Sequence, residues 1–257
     1  MFKLIIGVLI PFLGTSFGAF LVFFLKNKIN SKLTKILLGF AAGVMIASSV
    51  WSLIIPALNL VDYMNKWAFL PAVSGICFGV VFMVLLDHFC FKISSKTDNL
   101  TCTFKHKTKL LFWAVTIHNI PEGMAVGVAL ASAFYGYNVI TVSSALALSI
   151  GIAIQNIPEG AIVSLPLVSE NFSKRRAFSF GVISGVVEPI FTTITIFLIK
   201  FINPILPYLL VFASGAMIYV SVEELIPESH SDGKSKAPTV SFVIGFLLMM
   251  ILDITLG

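Results

Sequence analysis

Two short segments set metal-ligand side chains at helical spacing inside apolar stretches: Ile117-His118-Asn119-Ile120-Pro121-Glu122-Gly123 and Ile154-Gln155-Asn156-Ile157-Pro158-Glu159-Gly160. Positions i and i+4 of an α-helix share a face one turn apart, so His118 pairs with Glu122 and Gln155 with Glu159. Asn119 and Asn156 flank that stripe and can turn a carbonyl oxygen toward the same cavity. Pro121 and Pro158 lack an N–H, which predicts freed carbonyls at Ile117 and Ile154 and a kink in each helix. Such irregularity at membrane depth is tolerated where it lines a polar cavity. Gly123 and Gly160 would let neighbouring helices approach closely.

Glu188, in Gly185-Val186-Val187-Glu188-Pro189, is a third carboxylate deep in apolar sequence. A charge at the bilayer centre costs about 2.5–3.5 kcal/mol on the translocon scale, so the three glutamates need compensation. No Lys or Arg lies at matching depth in any expected span, which leaves protons or metal cations. One divalent ion would leave the cluster at roughly −1 and two at roughly +1, so one or two ions fit. Imidazole, amide and carboxylate ligands together suit zinc, with iron, manganese and cadmium as alternatives. Taken singly, a buried Glu can be a protonated acid bonded to the backbone, and a lone His can be a packing residue. Duplication of the whole unit argues against that blander reading.

The elements that must position these groups are membrane helices. Apolar residues make up 58% of the 257-residue chain, charged residues 11%, and mean hydropathy is +1.00, which excludes an ordinary soluble domain. Repeated apolar runs long enough to cross roughly 30 Å of hydrocarbon predict an all-α, polytopic bundle rather than a barrel. Eight spans are expected: Leu4–Leu25, Ile36–Leu60, Ala68–Phe91, Leu110–Phe134, Val139–Leu167, Phe178–Phe201, Ile205–Ile226 and Val240–Leu256. They form a single membrane domain over residues 1–257, with a cytoplasmic loop expected at 92–109. Leu4–Leu25 is long for a signal sequence and lacks a small-x-small cleavage site, so it counts as a span. Lysines and arginines concentrate after spans one, three, five and seven. The positive-inside rule therefore places those loops in the cytoplasm and both termini outside. The net charge of +5 then reflects topology and anionic lipid, not nucleic acid. Cys77, Cys90 and Cys102 show no disulfide or thiolate-zinc spacing.

The chain also repeats itself. Leu38-x-Phe40-Ala41-x-Gly43-x-Met45-Ile46-x-x-Ser49-Val50-x-x-Leu53-Ile54 returns as Leu210-x-Phe212-Ala213-x-Gly215-x-Met217-Ile218-x-x-Ser221-Val222-x-x-Leu225-Ile226. Gly79-x-x-x-Met83-x-x-Leu86-Asp87 returns as Gly245-x-x-x-Met249-x-x-Leu252-Asp253. With the expected topology, matched spans run antiparallel, a 3+2+3 inverted repeat of the kind found in secondary transporters. Asp87, His88, Glu223 and Glu224, with Glu228, His230 and Asp232 nearby, are candidates for a cytoplasmic release site or for helix-end charges. Met45 and Ser52 are candidates for an entrance path, with a core role for Met45 as the alternative. Asp253 reads as an interfacial charge.

At these residues the sequence resembles the ZIP (ZRT/IRT-like) family of metal-ion transporters, in its prokaryotic form, over nearly the whole chain. His118-Asn119-x-Pro121-Glu122-Gly123 and Gln155-Asn156-x-Pro158-Glu159-Gly160 are similar to that family's span-four and span-five motifs. The resemblance implies one metal site at His118, Glu122, Gln155 and Glu159. It implies a second at Asn119, Glu122, Asn156, Glu159 and Glu188, with Glu122 and Glu159 bridging. Many relatives carry His in place of Gln155, and some carry Asp in place of Asn156, which should soften zinc selectivity and weaken a second ion. The resemblance further implies zinc-preferring uptake into the cytoplasm across the plasma membrane without ATP. Spans one, four, five and six would move against two, three, seven and eight. Divalent ions and the bilayer are the expected partners, and a homodimer is a candidate assembly. An intramembrane zinc hydrolase is the rival reading, but His-Glu-x-x-His is absent. A binding or sensing protein is a second rival, disfavoured by the lack of a signalling domain.

Overall fold

The computed structural model describes residues 2–24, 31–96, 106–135, 140–199, 206–231 and 235–256. Because hydrocarbon offers no partner for a backbone N–H or C=O, each segment satisfies its own as a helix. The helices are α1 (Phe2–Phe20), α2 (Ser31–Ser48), α3 (Ile55–Leu60), α4 (Phe69–Lys96), α5 (His106–Phe134), α6 (Val142–Ser169), α7 (Lys174–Ile199), α8 (Leu206–Val220), α9 (Ile226–Ser229) and α10 (Ala237–Leu256). Strands are absent among the described residues. The chain is an all-α polytopic membrane protein.

Seven helices among the described residues are long and apolar enough to cross a membrane. The expected fourth span is α5, which is not one of the seven. It carries Lys107 and Lys109 in its first turns and the polar His118–Glu122 motif in its middle, which dilute its apolar character.

Burial locates the centre of the bundle. The apolar window of Val142–Val168 is 67% buried, whereas those of Phe69–His88 and Ala237–Thr255 are 22% buried. Helix α6 is therefore an inner element, packed on α1, α2, α5, α7 and α10. Two sets of close packings emerge: α1, α5, α6 and α7 among themselves, and α2 with α10 beside α4 with α8. Both prolines of the central motifs lie inside unbroken helices, Pro121 in α5 and Pro158 in α6.

A short turn ties α6 to α7. Asn171 takes the left-handed conformation (φ 69°) just past α6, and the Phe172 N–H reaches back to the Leu167 carbonyl at 3.1 Å. Lys174 Nζ then donates to the Phe23 carbonyl at 3.0 Å, anchoring the start of α7 against the end of α1. The repeated segments share local structure as well as sequence. A π-helical turn runs over Ser49–Ile54 and another over Ser221–Leu225. In each, the leading serine hydroxyl donates four residues back, Ser49 to Met45 O at 2.8 Å and Ser221 to Met217 O at 2.9 Å. Such back-bonding and π-bulges both loosen the regular helical ladder.

Candidate functional site

Helices α5, α6 and α7 bring the two motifs and Glu188 together with α1. The α5–α7 crossing is close because Gly123 has no side chain: a Cβ there would lie 2.5 Å from the Glu188 carbonyl oxygen. Thr192 Oγ1 adds a hydrogen bond to the Gly123 carbonyl at 2.9 Å. On the other flank, a Cβ on Gly160 would run into the Thr15 carbonyl of α1. Small residues at both crossings thus set the depth at which the polar side chains meet.

Asn119, Glu122, Gln155, Asn156 and Glu188 are fully buried, and Glu159 is 5% exposed. Glu122 lies within electrostatic reach of Glu159 and Glu188. The side chain of His118 lies outside the described residues, so only its place on α5, one turn before Glu122, is given.

The amides show a common pattern. Asn119 Nδ2 donates to the Ser184 carbonyl at 2.9 Å, Gln155 Nε2 to Glu122 Oε1 at 2.8 Å, and Asn156 Nδ2 to Glu188 Oε2 at 2.9 Å. Each acceptor is a carbonyl or a carboxylate, which fixes the amide's orientation with nitrogen toward it. The opposite atoms, Asn119 Oδ1, Gln155 Oε1 and Asn156 Oδ1, are buried without a hydrogen-bond partner, as is Glu122 Oε2. Buried acceptors left without donors cost about 1–3 kcal/mol each unless something positive meets them. Oxygen acceptors with neighbouring carboxylates form a donor set for a divalent cation.

Glu188 differs from the other two carboxylates. Thr15 Oγ1 donates to its Oε1 at 2.6 Å while Asn156 occupies Oε2. Among the described residues, no three His, Cys, Asp or Glu side chains gather as a metal-holding group. The arrangement is a mixture of amides and carboxylates, in which Glu188 is turned toward hydroxyl and amide donors. Thr15 was missed from the sequence. Its partner is 173 residues away, and a threonine in an apolar helix carries no signal of its own.

The other candidates separate into two regions. Met45 is fully buried: its carbonyl accepts from Ser48 and Ser49, and its sulfur lies 3.7 Å from Ser221 Oγ. Met45 thus packs within the buried apolar cluster. Ser52 donates to Asp253 Oδ1 at 2.7 Å. Asp253 is thus partly buried and bonded across to the π-turn of the repeat. Asp87 accepts from Tyr219 at 2.9 Å, and His88 is exposed. A cavity of about 580 Å³ has Glu159, Leu38 and Pro166 in its wall together with Glu223, Glu224 and Glu228. His230 is instead bonded to Ser229 and Thr239, and Asp232 lies outside the described residues.

With this geometry in view, comparison with known proteins gives a consistent result. The ZIP zinc transporter family profile matches residues 109–253, which include both central motifs and Glu188. The chain is 32% identical to human zinc transporter ZIP11, the match covering 100% of this chain and 98% of that protein. It is 33% identical to zinc transporter ZIPB of Bordetella bronchiseptica (98% of this chain, 81% of the relative). It is 30% identical to zinc transporter ZupT of Chlorobaculum parvum (93% and 92%).

Proposed function

The chain belongs to the ZIP family of zinc transporters, and on that premise we propose that it moves zinc inward across the plasma membrane through the Glu122–Glu159 site by alternating access. It is a multi-pass membrane transporter of divalent metal, with zinc as substrate, and not an enzyme. The observation that carries the site assignment is the set of buried acceptors, Glu122 Oε2 and the oxygens of Asn119, Gln155 and Asn156, left without donors. A doubly charged passenger satisfies them and offsets the carboxylates at once. His118, one turn from Glu122, supplies the nitrogen ligand that favours zinc over harder ions.

Inward release follows the cavity that shares Glu159 with Glu223, Glu224 and Glu228. The carboxylates at its α8–α9 end receive the ion as it leaves Glu159. Lysines and arginines after the odd-numbered spans assign that end to the cytoplasm. The helices that share close packings, α1 with α5, α6 and α7, move as one body against α2, α4, α8 and α10. The two segments with matching π-turns fall in the second body. The oxygen-rich donor set favours a second reading for substrate range, in which manganese and iron, and cadmium among softer ions, also pass. A homodimer is a candidate assembly.

Radiotracer zinc uptake into proteoliposomes, with manganese, iron and cadmium as competitors, tests the proposal. Glu122→Ala and Glu159→Ala should each abolish uptake in protein that remains folded. Unchanged uptake in both variants would remove the site assignment.

A further inference from the structure

The Glu188 carboxyl has both of its oxygens engaged by protein donors. Thr15 Oγ1 takes Glu188 Oε1 at 2.6 Å, and Asn156 Nδ2 takes Oε2 at 2.9 Å. All three partners are fully buried. A hydroxyl and an amide nitrogen both donate here, so each oxygen of the Glu188 carboxyl already has a protein partner. Meanwhile Asn156, whose nitrogen is held by Glu188, is left with its Oδ1 unpartnered. The helix packing brings Thr15 to the level of Glu188. Gly160 and Gly185 both face Thr15: an added Cβ would meet the Thr15 carbonyl in the first case, and in the second would lie 2.8 Å from Thr15 Cβ. With both methyls absent, α1 sits against α6 and α7 at the level of Glu188.

We propose that Glu188 is a positioning residue rather than a metal ligand, that Thr15 holds it, and that the transmembrane site therefore carries one ion at a time. This rests on the site assignment above and adds the number of ions and the order of dependence among the residues. Thr15 fixes Glu188, Glu188 at 2.9 Å and the Pro11 carbonyl at 3.5 Å hold the Asn156 amide nitrogen, and the Asn156 oxygen is thereby turned away from Glu188 as an acceptor. An aspartate at position 156 would remove one of those donors and add an acceptor, making room for a second cation.

The test is zinc stoichiometry by difference, measured by elemental analysis on the purified full-length protein in nanodiscs. Subtracting the Glu122→Ala/Glu159→Ala variant from the wild type removes ions bound elsewhere. The expected difference is one zinc per chain, rising to two on Asn156→Asp. A difference of two in the wild type, or no gain on Asn156→Asp, overturns the proposal while leaving the site assignment standing. A difference of zero instead defeats the site assignment itself. Thr15→Val, which keeps shape but removes the donor, should raise the zinc KM by about tenfold, the loss expected for a hydrogen bond to a charged group. Thr15→Ser should stay within about twofold of the wild type. Equal effects of Val and Ser would show that Thr15 acts through packing and not through Glu188.

Discussion

Replacing Gly123 with alanine probes the claim that missing side chains set the geometry of the site. The new Cβ would stand 2.5 Å from the Glu188 carbonyl oxygen, 3.0 Å from its Cα and 3.2 Å from its carbonyl carbon, all backbone atoms. Ordinary contact begins near 3.4 Å, so α5 and α7 must separate by about 0.9 Å. Overpacking of this kind costs about 1–3 kcal/mol. A glycine-to-alanine change also favours the helix by roughly 1 kcal/mol, so the variant needs a control that shares that gain. Gly151→Ala is such a control: the atoms nearest its Cβ belong to the Met249 side chain, an unbranched thioether, and not to a neighbouring backbone. The propensity gain cancels between the two variants and the packing cost remains. Thermal unfolding of the purified protein should place the Gly123→Ala midpoint several degrees below that of Gly151→Ala. Zinc uptake should fall in Gly123→Ala alone, because the displaced backbone is that of Glu188. Equal midpoints and equal uptake would refute the idea that the Gly123–Glu188 contact fixes the site.

Other outcomes follow from the same geometry. Gln155→Met removes the donor to Glu122 Oε1, which should weaken zinc uptake affinity by roughly tenfold or more, read as a rise in KM. His118→Ala should impair zinc uptake more than manganese uptake in a competition assay, since imidazole favours the softer ion; equal loss would argue against nitrogen-based selectivity. The joint change Glu223→Gln, Glu224→Gln and Glu228→Gln should lower the maximal rate with little change in KM, because these groups line the cavity beyond Glu159 rather than the first binding position. A rise in KM alone would move them to the binding step.

The sequence disclosed what periodicity and composition can encode. Apolar runs predicted helices, and i, i+4 spacing put Gln155 and Glu159 on one face. The matched segments around Met45 and Met217 reappear as paired π-turns with the same serine bond. What stayed hidden depends on contacts between distant helices. Thr15 meets Glu188 across 173 residues and Ser52 meets Asp253 across 201, and no local pattern announces either pair. Which end of an amide faces the site is equally silent in sequence. It follows from where Ser184 O, Glu122 and Glu188 sit once the bundle has closed. Met45 likewise meets Ser221 across 176 residues, a contact that no local pattern announces.

Anomalous X-ray scattering from crystals of the zinc-loaded protein tests the central claim most directly. The account predicts a zinc peak bonded to oxygens of both Glu122 and Glu159, at about 2.0–2.2 Å. A strong peak confined to other residues, with Glu122 and Glu159 left uncoordinated, would contradict it.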